Sequence, residues 1–140
     1  MAYWLVKSEP EDWSFDQQCR VPFEPWTGVR NAQAQKNMAA MQEGDIVFFY
    51  HSGKSREIVG LCTVARSAYA DPSDAKGKAV LVDLKALERA KTPLSLTDIK
   101  AQPAFAHLAL VRQARLSVMP IDDNSASSLL SQLGLSAHAR

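Results

Sequence analysis

The sequence lacks several features that mark large classes of protein, and each absence excludes a class of structure or function. Its only cysteines, Cys19 and Cys62, are too few for a disulfide framework or a zinc site, and each is expected to be a buried or half-buried thiol. No apolar run approaches the roughly 20 residues of a membrane-spanning helix, and the N-terminus has no signal-peptide pattern. We therefore expect a cytoplasmic protein that does not associate with membranes.

An excess of one charge is also missing, because 16 Lys and Arg residues are balanced by 15 Asp and Glu residues. A nucleic-acid partner would therefore be held by local contacts and not by a broad basic field. The three histidines share no metal-ligand spacing, so we predict neither a metal nor a cofactor. The length of 140 residues suits one domain, placed at 1–136 with a loose tail at 137–140, and we expect a monomer.

Motifs of the common enzyme classes are absent as well: there is no P-loop, G-x-G-x-x-G, H-E-x-x-H or G-x-S-x-G. Cys62 and His51 would lie on adjacent strands as a nucleophile and a base. Cys62, however, falls inside a strand, where a thiol is usually structural. We therefore predict no catalytic residues.

The most informative stretch that is present is a β-hairpin. Its two strands, 44–52 and 57–65, are rich in β-branched and aromatic residues, and a short polar loop with a glycine joins them. Neither face of the first strand is polar, which predicts that this strand is central in a sheet. Tyr50 and His51 stand at its end, where a packed sheet gives way to a site.

Shorter strands and capped helices surround this hairpin. Sequence signals predict strands over 3–7, 79–84 and 115–120, capping boxes at Ser8 and Ser14, helices after Asn31, Ser95 and Asp122, and a chain break at Pro93. Five or six strands with short helices in a chain of this length favour the α+β class, as a compact twisted β-barrel with peripheral helices.

Polar residues stand beside aromatic ones at several predicted strand ends. If these ends meet, they form a concave pocket with a stacking surface and hydrogen-bonding groups, which suits a flat heterocycle. Trp26 is the proposed stacking surface, because it lies in a loop next to proline and near glycine, whereas Trp4 and Trp13 are expected in the core. The candidate pocket residues are Lys7, Ser8, Glu9, Trp26, Gly28, Val29, Arg30, Asn31, Tyr50, His51 and Ser117. The candidate phosphate contacts are Lys54, Arg56, Arg112 and Arg115.

Five sequence blocks resemble the EVE domain, a member of the PUA-like superfamily related to YTH readers. The most specific are Lys-Ser-Glu-Pro at 7–10 and Trp-x-Gly-x-Arg-Asn at 26–31, and the others lie at 44–52, 58–60 and 110–118. The resemblance implies a small twisted β-barrel and non-enzymatic recognition of a modified base in DNA or RNA. That base, a methylated or hydroxymethylated cytosine or a methyladenine, would leave the stack and enter an aromatic-lined pocket, with Asn31 pairing with its edge.

The sequence departs from the family pattern at three places. It lacks a tryptophan over 77–82 and an aromatic residue over 126–129, and Ala114 replaces a common serine. These changes predict a smaller or differently selective pocket. Three other functions remain open. A nucleoside or another small molecule, or the substrate of an enzyme related to RNA modification, would use the same pocket, whereas an accessory factor in RNA modification would take its specificity from a partner protein.

Overall fold

A computed structural model describes residues 1–139, which form one mixed sheet with short helices around it. The strands are β1 (Tyr3–Ser8), β2 (Glu24–Pro25), β3 (Ile46–His51), β4 (Glu57–Ala70), β5 (Val80–Ser95) and β6 (Val118–Ile121). They are hydrogen-bonded in the order β2-β5-β4-β3-β1-β6. β1 and β3 run parallel, and the other neighbours are antiparallel.

The helices are short, and four of the five α-helices among residues 1–139 begin where the sequence places a cap. They are α1 (Phe15–Cys19), α2 (Ala32–Ala39), α3 (Leu96–Lys100), α4 (Ala109–Arg112) and α5 (Asp123–Leu133), with 3-10 turns at Pro103–Phe105 and Ser136–His138. Ser14 and Gln17 form a capping box, and the Asn31 side chain accepts from Ala34 N. Gly134 ends α5 in the left-handed region at φ 76°. The predicted caps Ser14, Asn31, Ser95 and Asp122 are confirmed, whereas α4 was not predicted and its N-cap, Leu108, makes no side-chain hydrogen bond.

β3 occupies the centre of the sheet, as predicted, between β1 and β4. Its residues Ile46 to Tyr50 are all buried. The ring centroids of Phe49 and Phe15 lie 5.2 Å apart, in an edge-to-face arrangement. Phe15 also lies directly on Gly60 of β4, where a Cβ would stand 2.4 Å from Cζ. Glycine at position 60 therefore allows α1 to pack against the sheet.

The buried carboxylate of Asp45 lies beside the first residues of β1, at the end of the strand away from the loop that leads to α1. Asp45 is 5% exposed, and its Oδ2 accepts hydrogen bonds from Trp4 Nε1 at 2.9 Å and Gln42 N at 3.0 Å. Its Oδ1 accepts from Ala2 N at 3.1 Å. A buried carboxylate is stable only when its oxygens are satisfied in this way. Trp4 is therefore a core residue, as predicted.

The six strands and the α+β class confirm the predicted fold, while the hydrogen-bonded ladder stays open because β2 and β6 are its ends within residues 1–139. The predicted chain break at Pro93 is wrong, since β5 runs through it. β2 pairs with β5 only at Leu84 and Asp83, so the edge of β5 on that side is free at Pro93. Proline has no backbone N–H to donate, and a free edge requires none. Pro120 likewise lies inside edge strand β6 and does not end it.

Two local predictions are also wrong. Ser8 caps no helix, because it is the last residue of β1 and its hydroxyl donates to the carbonyl of Trp13. The residues after it form a turn in which Asp12 N and Trp13 N both donate to Glu9 O. Cys19 is exposed, whereas Cys62 is buried as predicted, and burial raises the pKa of the Cys62 thiol. Of the tail predicted at 137–140, residue 140 lies outside the described residues; His138 is the last residue of a 3-10 turn, and its Nε2 lies 2.7 Å from Glu88 Oε1.

Candidate functional site

A cavity of about 400 Å³ opens where the end of β1 meets the turn before α1 and the loop after β2. We call it the Trp26 cavity. Its lining consists of Lys7, Ser8, Glu9, Asp12, Trp13, Glu24, Pro25, Trp26, Thr27, Gly28, Val29 and Ser117. Its volume lies within the range of about 300–1,000 Å³ that is typical of small-ligand sites.

The indole of Trp26 forms one wall of the cavity, and contacts with Val82 and Phe49 fix its position. Its backbone N–H donates to Val82 O at 2.8 Å, and its ring meets Phe49 edge-on at 5.7 Å between centroids. The residue as a whole is 7% exposed. No residue among 1–139 accepts a hydrogen bond from its Nε1, and no fully buried polar side-chain atom in that range lacks a partner. The indole N–H is therefore reachable from solvent.

A second tryptophan, Trp13, also lines the cavity, although the sequence placed it in the core. Its Nε1 donates to Gln18 Oε1 at 2.8 Å. Gln18 is fully buried, and its Nε2 donates to Leu84 O at 2.9 Å. This chain of hydrogen bonds fixes the orientation of Trp13. The cavity therefore has two aromatic surfaces instead of the single one predicted.

The end of β1 supplies the polar floor. Lys7 Nζ donates to Ala114 O at 2.8 Å and lies 5.7 Å from the centre of the Tyr50 ring. Burial lowers the pKa of Lys7. Lys7 N also donates to Ser117 O at 2.9 Å, which connects the floor to the segment before β6. Ser8 has already donated its proton to Trp13 O, so its hydroxyl oxygen remains available only as an acceptor.

Three carboxylates line the cavity, Glu9, Asp12 and Glu24, against the single ammonium of Lys7. Glu24 is half-buried on the short strand β2, and desolvation raises its pKa. The cavity is therefore rich in hydrogen-bond acceptors and negatively charged when these groups are ionised. Such a lining favours a ligand that presents hydrogen-bond donors.

A larger groove of about 980 Å³ adjoins the cavity, and both are lined by the segment 27–29. We call it the Arg30 groove. Arg30, Ala32 and Gln35 continue one wall, and the loop between β4 and β5, at 71–79, forms the other. Arg30, which the sequence assigned to the pocket, therefore belongs to the groove.

Three other predicted pocket residues do not line the Trp26 cavity. Asn31 is exposed, and its Oδ1 accepts from Ala34 N at 3.0 Å as the cap of α2. Tyr50 is 3% exposed and packs in the core. His51 accepts from Phe15 N at 3.1 Å through Nε2, and burial lowers the pKa of His51. Asn31 therefore has the cap role that the sequence predicted, while core packing of Tyr50 and the hydrogen bond of His51 keep these two residues out of the cavity.

The four predicted phosphate contacts line neither the cavity nor the groove. All four are exposed, Arg112 at the end of α4 and the others on surface loops. Lys54 and Arg56 belong to the β3–β4 loop, whose Gly53 lies so close to Glu9 that a Cβ there would stand 3.1 Å from Oε1. Arg112 and Arg115 flank Ala114, the acceptor of the Lys7 ammonium. These cations therefore belong to segments next to the cavity lining.

Sequence reasoning missed five lining residues: Asp12, Trp13, Glu24, Pro25 and Thr27. All of them stand within four residues of a predicted pocket residue. A turn with two backbone hydrogen bonds to Glu9 O carries Asp12 and Trp13 back over the end of β1. The available signal was Pro10 after Glu9, which favours a turn at this point.

Two apparent catalytic groupings have unsuitable geometry. Cys62 pairs with Val47 and His51 pairs with Glu57, so they lie at different positions along the hairpin. Ser125 Oγ and Asp122 Oδ1 both contact the same atom, His107 Nε2, at 3.3 and 2.7 Å. A catalytic relay requires the acid and the nucleophile on opposite ring nitrogens. Among residues 1–139, no cluster of three acidic, histidine or cysteine side chains is arranged to hold a metal ion.

The comparison with known proteins agrees with the fold and with the resemblance of the sequence blocks. Residues 2–132 match the EVE domain. This chain belongs to the EVE domain family. Thymocyte nuclear protein 1 of Rattus norvegicus is 32% identical to it over 164 aligned positions, which cover 92% of this chain and 72% of the rat protein. None of the helices within residues 1–139 is long and apolar enough to cross a membrane.

Solved structures of similar proteins share the whole architecture. The Rpa0253 protein of Rhodopseudomonas palustris is 48% identical, covers 96% of this chain and 94% of its own, and gives a TM-score of 0.92. Human THYN1, solved in complex with DNA containing 5-methylcytosine, is 29% identical, with coverages of 95% and 98% and a TM-score of 0.88. One EVE domain relative therefore binds methylated DNA.

Proposed function

We propose that this EVE domain is a non-enzymatic reader that binds a modified nucleobase of DNA or RNA in the Trp26 cavity. The observation that carries the proposal is the meeting of two indoles, Trp13 and Trp26, with hydrogen-bonding groups in one cavity. The complex of human THYN1 with DNA containing 5-methylcytosine supports the choice of ligand.

The base must leave its stack to enter the cavity, which costs a few kcal/mol. Stacking on an aromatic side chain returns about 1–3 kcal/mol per base. Trp26 suits this role because Phe49 and Val82 fix its position before a ligand arrives. A methyl group adds apolar contact and, at about 0.8 kcal/mol per buried carbon, supplies the discrimination between modified and unmodified bases.

The acidic lining supports an amino-bearing base. Cytosine and adenine both carry an exocyclic amino group, and a carboxylate is the acceptor that pairs with the amino group of cytosine. Glu24 is the best placed of the three carboxylates for this contact, because its partial burial excludes competing water. We therefore favour methylated or hydroxymethylated cytosine, or methyladenine, over uracil and thymine.

The cations of the neighbouring segments complete the proposed reader. Lys54 and Arg56 on one loop, and Arg112 and Arg115 on another segment, would contact phosphates next to the extruded nucleotide. Such contacts add affinity without sequence information. Lys7, by contrast, donates to Ala114 O and so positions the floor of the cavity.

Equilibrium binding to fluorescent oligonucleotides tests the proposal. The probes carry one central cytosine, 5-methylcytosine, 5-hydroxymethylcytosine, adenine or N6-methyladenine, each as DNA and as RNA. We expect one modified probe to bind more tightly than its unmodified partner. Trp26→Ala should lower that affinity about ten- to a hundredfold, the effect of removing one stacking surface.

Phe23→Ala is the matched control, because Phe23 is an exposed aromatic residue just before β2 that does not line the cavity. It should leave binding unchanged. Trp26→Phe, which keeps a stacking face against Phe49, should retain most of the affinity if the fold is intact. Equal binding of all probes by the native chain, or equal losses in the Trp26 and Phe23 variants, would reject the proposal.

The charge of the cavity favours a second candidate, binding of a free nucleoside or another small planar molecule. Three carboxylates around one ammonium repel a polyanion more than a neutral nucleoside. Calorimetry with 5-methyl-2′-deoxycytidine separates the two. Tighter binding of the nucleoside than of the matching oligonucleotide would favour this alternative.

A further inference from the structure

The Arg30 groove differs from the cavity in charge. Its lining carries three cations, Arg30, Lys76 and Lys78, and two carboxylates, Asp71 and Asp74. All three cations are exposed, and none forms an ion pair with another residue among 1–139. The groove therefore presents cations beside a cavity that presents carboxylates.

Both carboxylates of the groove are already used by the loop that carries them. Asp71 Oδ1 accepts from Ser73 N at 2.8 Å and from Ser73 Oγ at 2.7 Å. Asp74 accepts from Lys76 N, Lys78 N and Ala79 N at 3.2, 2.9 and 2.7 Å. These backbone hydrogen bonds lower the pKa of Asp74. They shape the 71–79 loop and leave the side chains of Lys76 and Lys78 free to meet a partner.

The two walls of the groove are joined before any ligand binds. Gln35 Nε2 donates to Val29 O at 2.7 Å on one wall and to Val80 O at 3.3 Å next to the other. Val80 N donates back to Gln35 Oε1 at 2.9 Å. The groove is therefore a preformed surface, and binding to it requires little ordering of the chain.

The groove is also continuous with the cavity. Both are lined by Thr27, Gly28 and Val29, which follow Trp26 directly. A nucleotide with its base beside Trp26 has its sugar and phosphates outside the cavity mouth. From there the 27–29 segment leads to Arg30 and to the two lysines of the facing loop.

We propose that the Arg30 groove binds the sugar–phosphate backbone on one side of the nucleotide whose base enters the Trp26 cavity, with Arg30, Lys76 and Lys78 contacting phosphates. This inference rests on the proposed function for its ligand. It assigns a role to the 71–79 loop, which forms one wall of the groove. It also explains how an acidic cavity receives a base from a polyanion, because the attraction is located beside the cavity.

Salt-dependent binding to single-stranded oligonucleotides with a central cytosine or 5-methylcytosine tests the groove. We expect Lys76→Ala/Lys78→Ala to weaken binding of both probes about tenfold at about 0.1 M salt. The slope of log affinity against log salt should fall by about 0.7 for each phosphate that the variant no longer neutralises. The ratio between methylated and unmethylated affinities should stay unchanged, because phosphate contacts weaken binding uniformly across sequences.

Lys85→Ala/Lys100→Ala is the matched control, since both lysines are exposed and line neither the cavity nor the groove. Its affinity and salt slope should equal those of the native chain. The inference is overturned if the two double variants behave alike, or if the native chain binds no oligonucleotide.

The outcomes also separate this inference from the reader proposal. Native binding without methyl discrimination, but with a reduced salt slope in Lys76→Ala/Lys78→Ala, rejects the reader and supports the groove as a nucleic-acid surface. Methyl discrimination with an unchanged slope rejects the groove alone. A third outcome is that a fluorescent poly-glutamate peptide binds the groove and is not displaced by an oligonucleotide. This result would identify an acidic protein segment as the partner and would reject the groove as a nucleic-acid surface.

Discussion

Trp4 and Trp26 are both 7% exposed, yet their indole N–H groups have different surroundings. Trp4 Nε1 donates to the buried carboxylate of Asp45 at 2.9 Å. Trp26 Nε1 has no acceptor among residues 1–139, and its ring forms a wall of the acidic and aromatic Trp26 cavity. One tryptophan is satisfied within the fold, and the other has a donor and a stacking surface left for a ligand.

Exposure alone therefore does not separate a structural tryptophan from one that binds a ligand. The hydrogen-bond partner does, because a buried donor needs an acceptor from the protein, whereas a donor at a cavity wall is satisfied by water or a ligand. Trp13 is intermediate, since it lines the cavity while its N–H is bound to Gln18. We therefore expect Trp13 to stack with a ligand without donating to it.

The largest expected effect on stability comes from Trp4. Replacing it with alanine should cost about 3–5 kcal/mol of unfolding free energy, the typical cost for a buried aromatic residue. Urea unfolding followed by circular dichroism measures this cost. A change below about 1 kcal/mol would contradict the structural role of Trp4, and any folded Trp4→Ala protein should still discriminate the methylated probe.

A smaller stability effect is expected at Asp45. Asp45→Ala leaves the buried N–H of Trp4 without an acceptor, at a cost of about 1–3 kcal/mol. Asp45→Asn keeps one acceptor oxygen and should cost less. Urea unfolding of the two variants checks the order. Equal stability of the alanine variant and the native chain would show that Trp4 does not depend on this hydrogen bond.

Glu24 should make the affinity of the Trp26 cavity for a base depend on pH. Its pKa is raised by desolvation, so the carboxylate becomes protonated at a higher pH than an exposed glutamate does. Binding of an amino-bearing base should therefore weaken as the pH falls towards this raised pKa. Affinities measured across a pH series check the trend, and Glu24→Gln should bind more weakly at neutral pH and show less of this dependence. An identical pH profile in the variant would remove Glu24 from the site.

The smallest effect is expected away from the site, at the cap of α5. Partial burial opposes ionisation of Asp122, but hydrogen bonds from His107 and Ser125 outweigh it and lower the pKa of Asp122 to about 2. Because this pKa lies below that of the unfolded chain, the stabilisation is present above about pH 4 and is lost as the pH falls towards 2. Asp122→Ala should cost about 1 kcal/mol at neutral pH, and Asp122→Asn less. Urea unfolding at pH 7 and pH 3 checks both, and a base-binding affinity equal to that of the native chain is the expected control.

Much of the fold follows from local chemistry that is visible in the sequence. The apolar hairpin predicts the central strand β3, and Ser14, Asn31 and Asp122 each begin a helix because their side chains accept backbone N–H groups. Pro93 misleads because a proline is tolerated on a free strand edge, and the sequence does not show which edge is free.

The site is less accessible to sequence reasoning, because it depends on how loops fold over strand ends. The sequence pointed to Trp26 and to the end of β1, and the structure brings both to one cavity. The sequence indicated that Asn31 caps α2, but it did not show that this role takes Asn31 away from the cavity. It also gave no sign that His51 would accept from Phe15 N. Nor did it indicate that the turn after Glu9 would bring Trp13 to the cavity.

The indole N–H signals of the three tryptophans in a ¹H–¹⁵N spectrum test the central claim most directly. Titration with the oligonucleotide that carries the preferred modified base should shift the Trp26 signal most and the Trp13 signal less, while the Trp4 signal stays in place. The unmodified oligonucleotide at the same concentration should produce smaller shifts. An oligonucleotide that binds while the Trp26 signal remains fixed would contradict the assignment of the Trp26 cavity as the base-binding site.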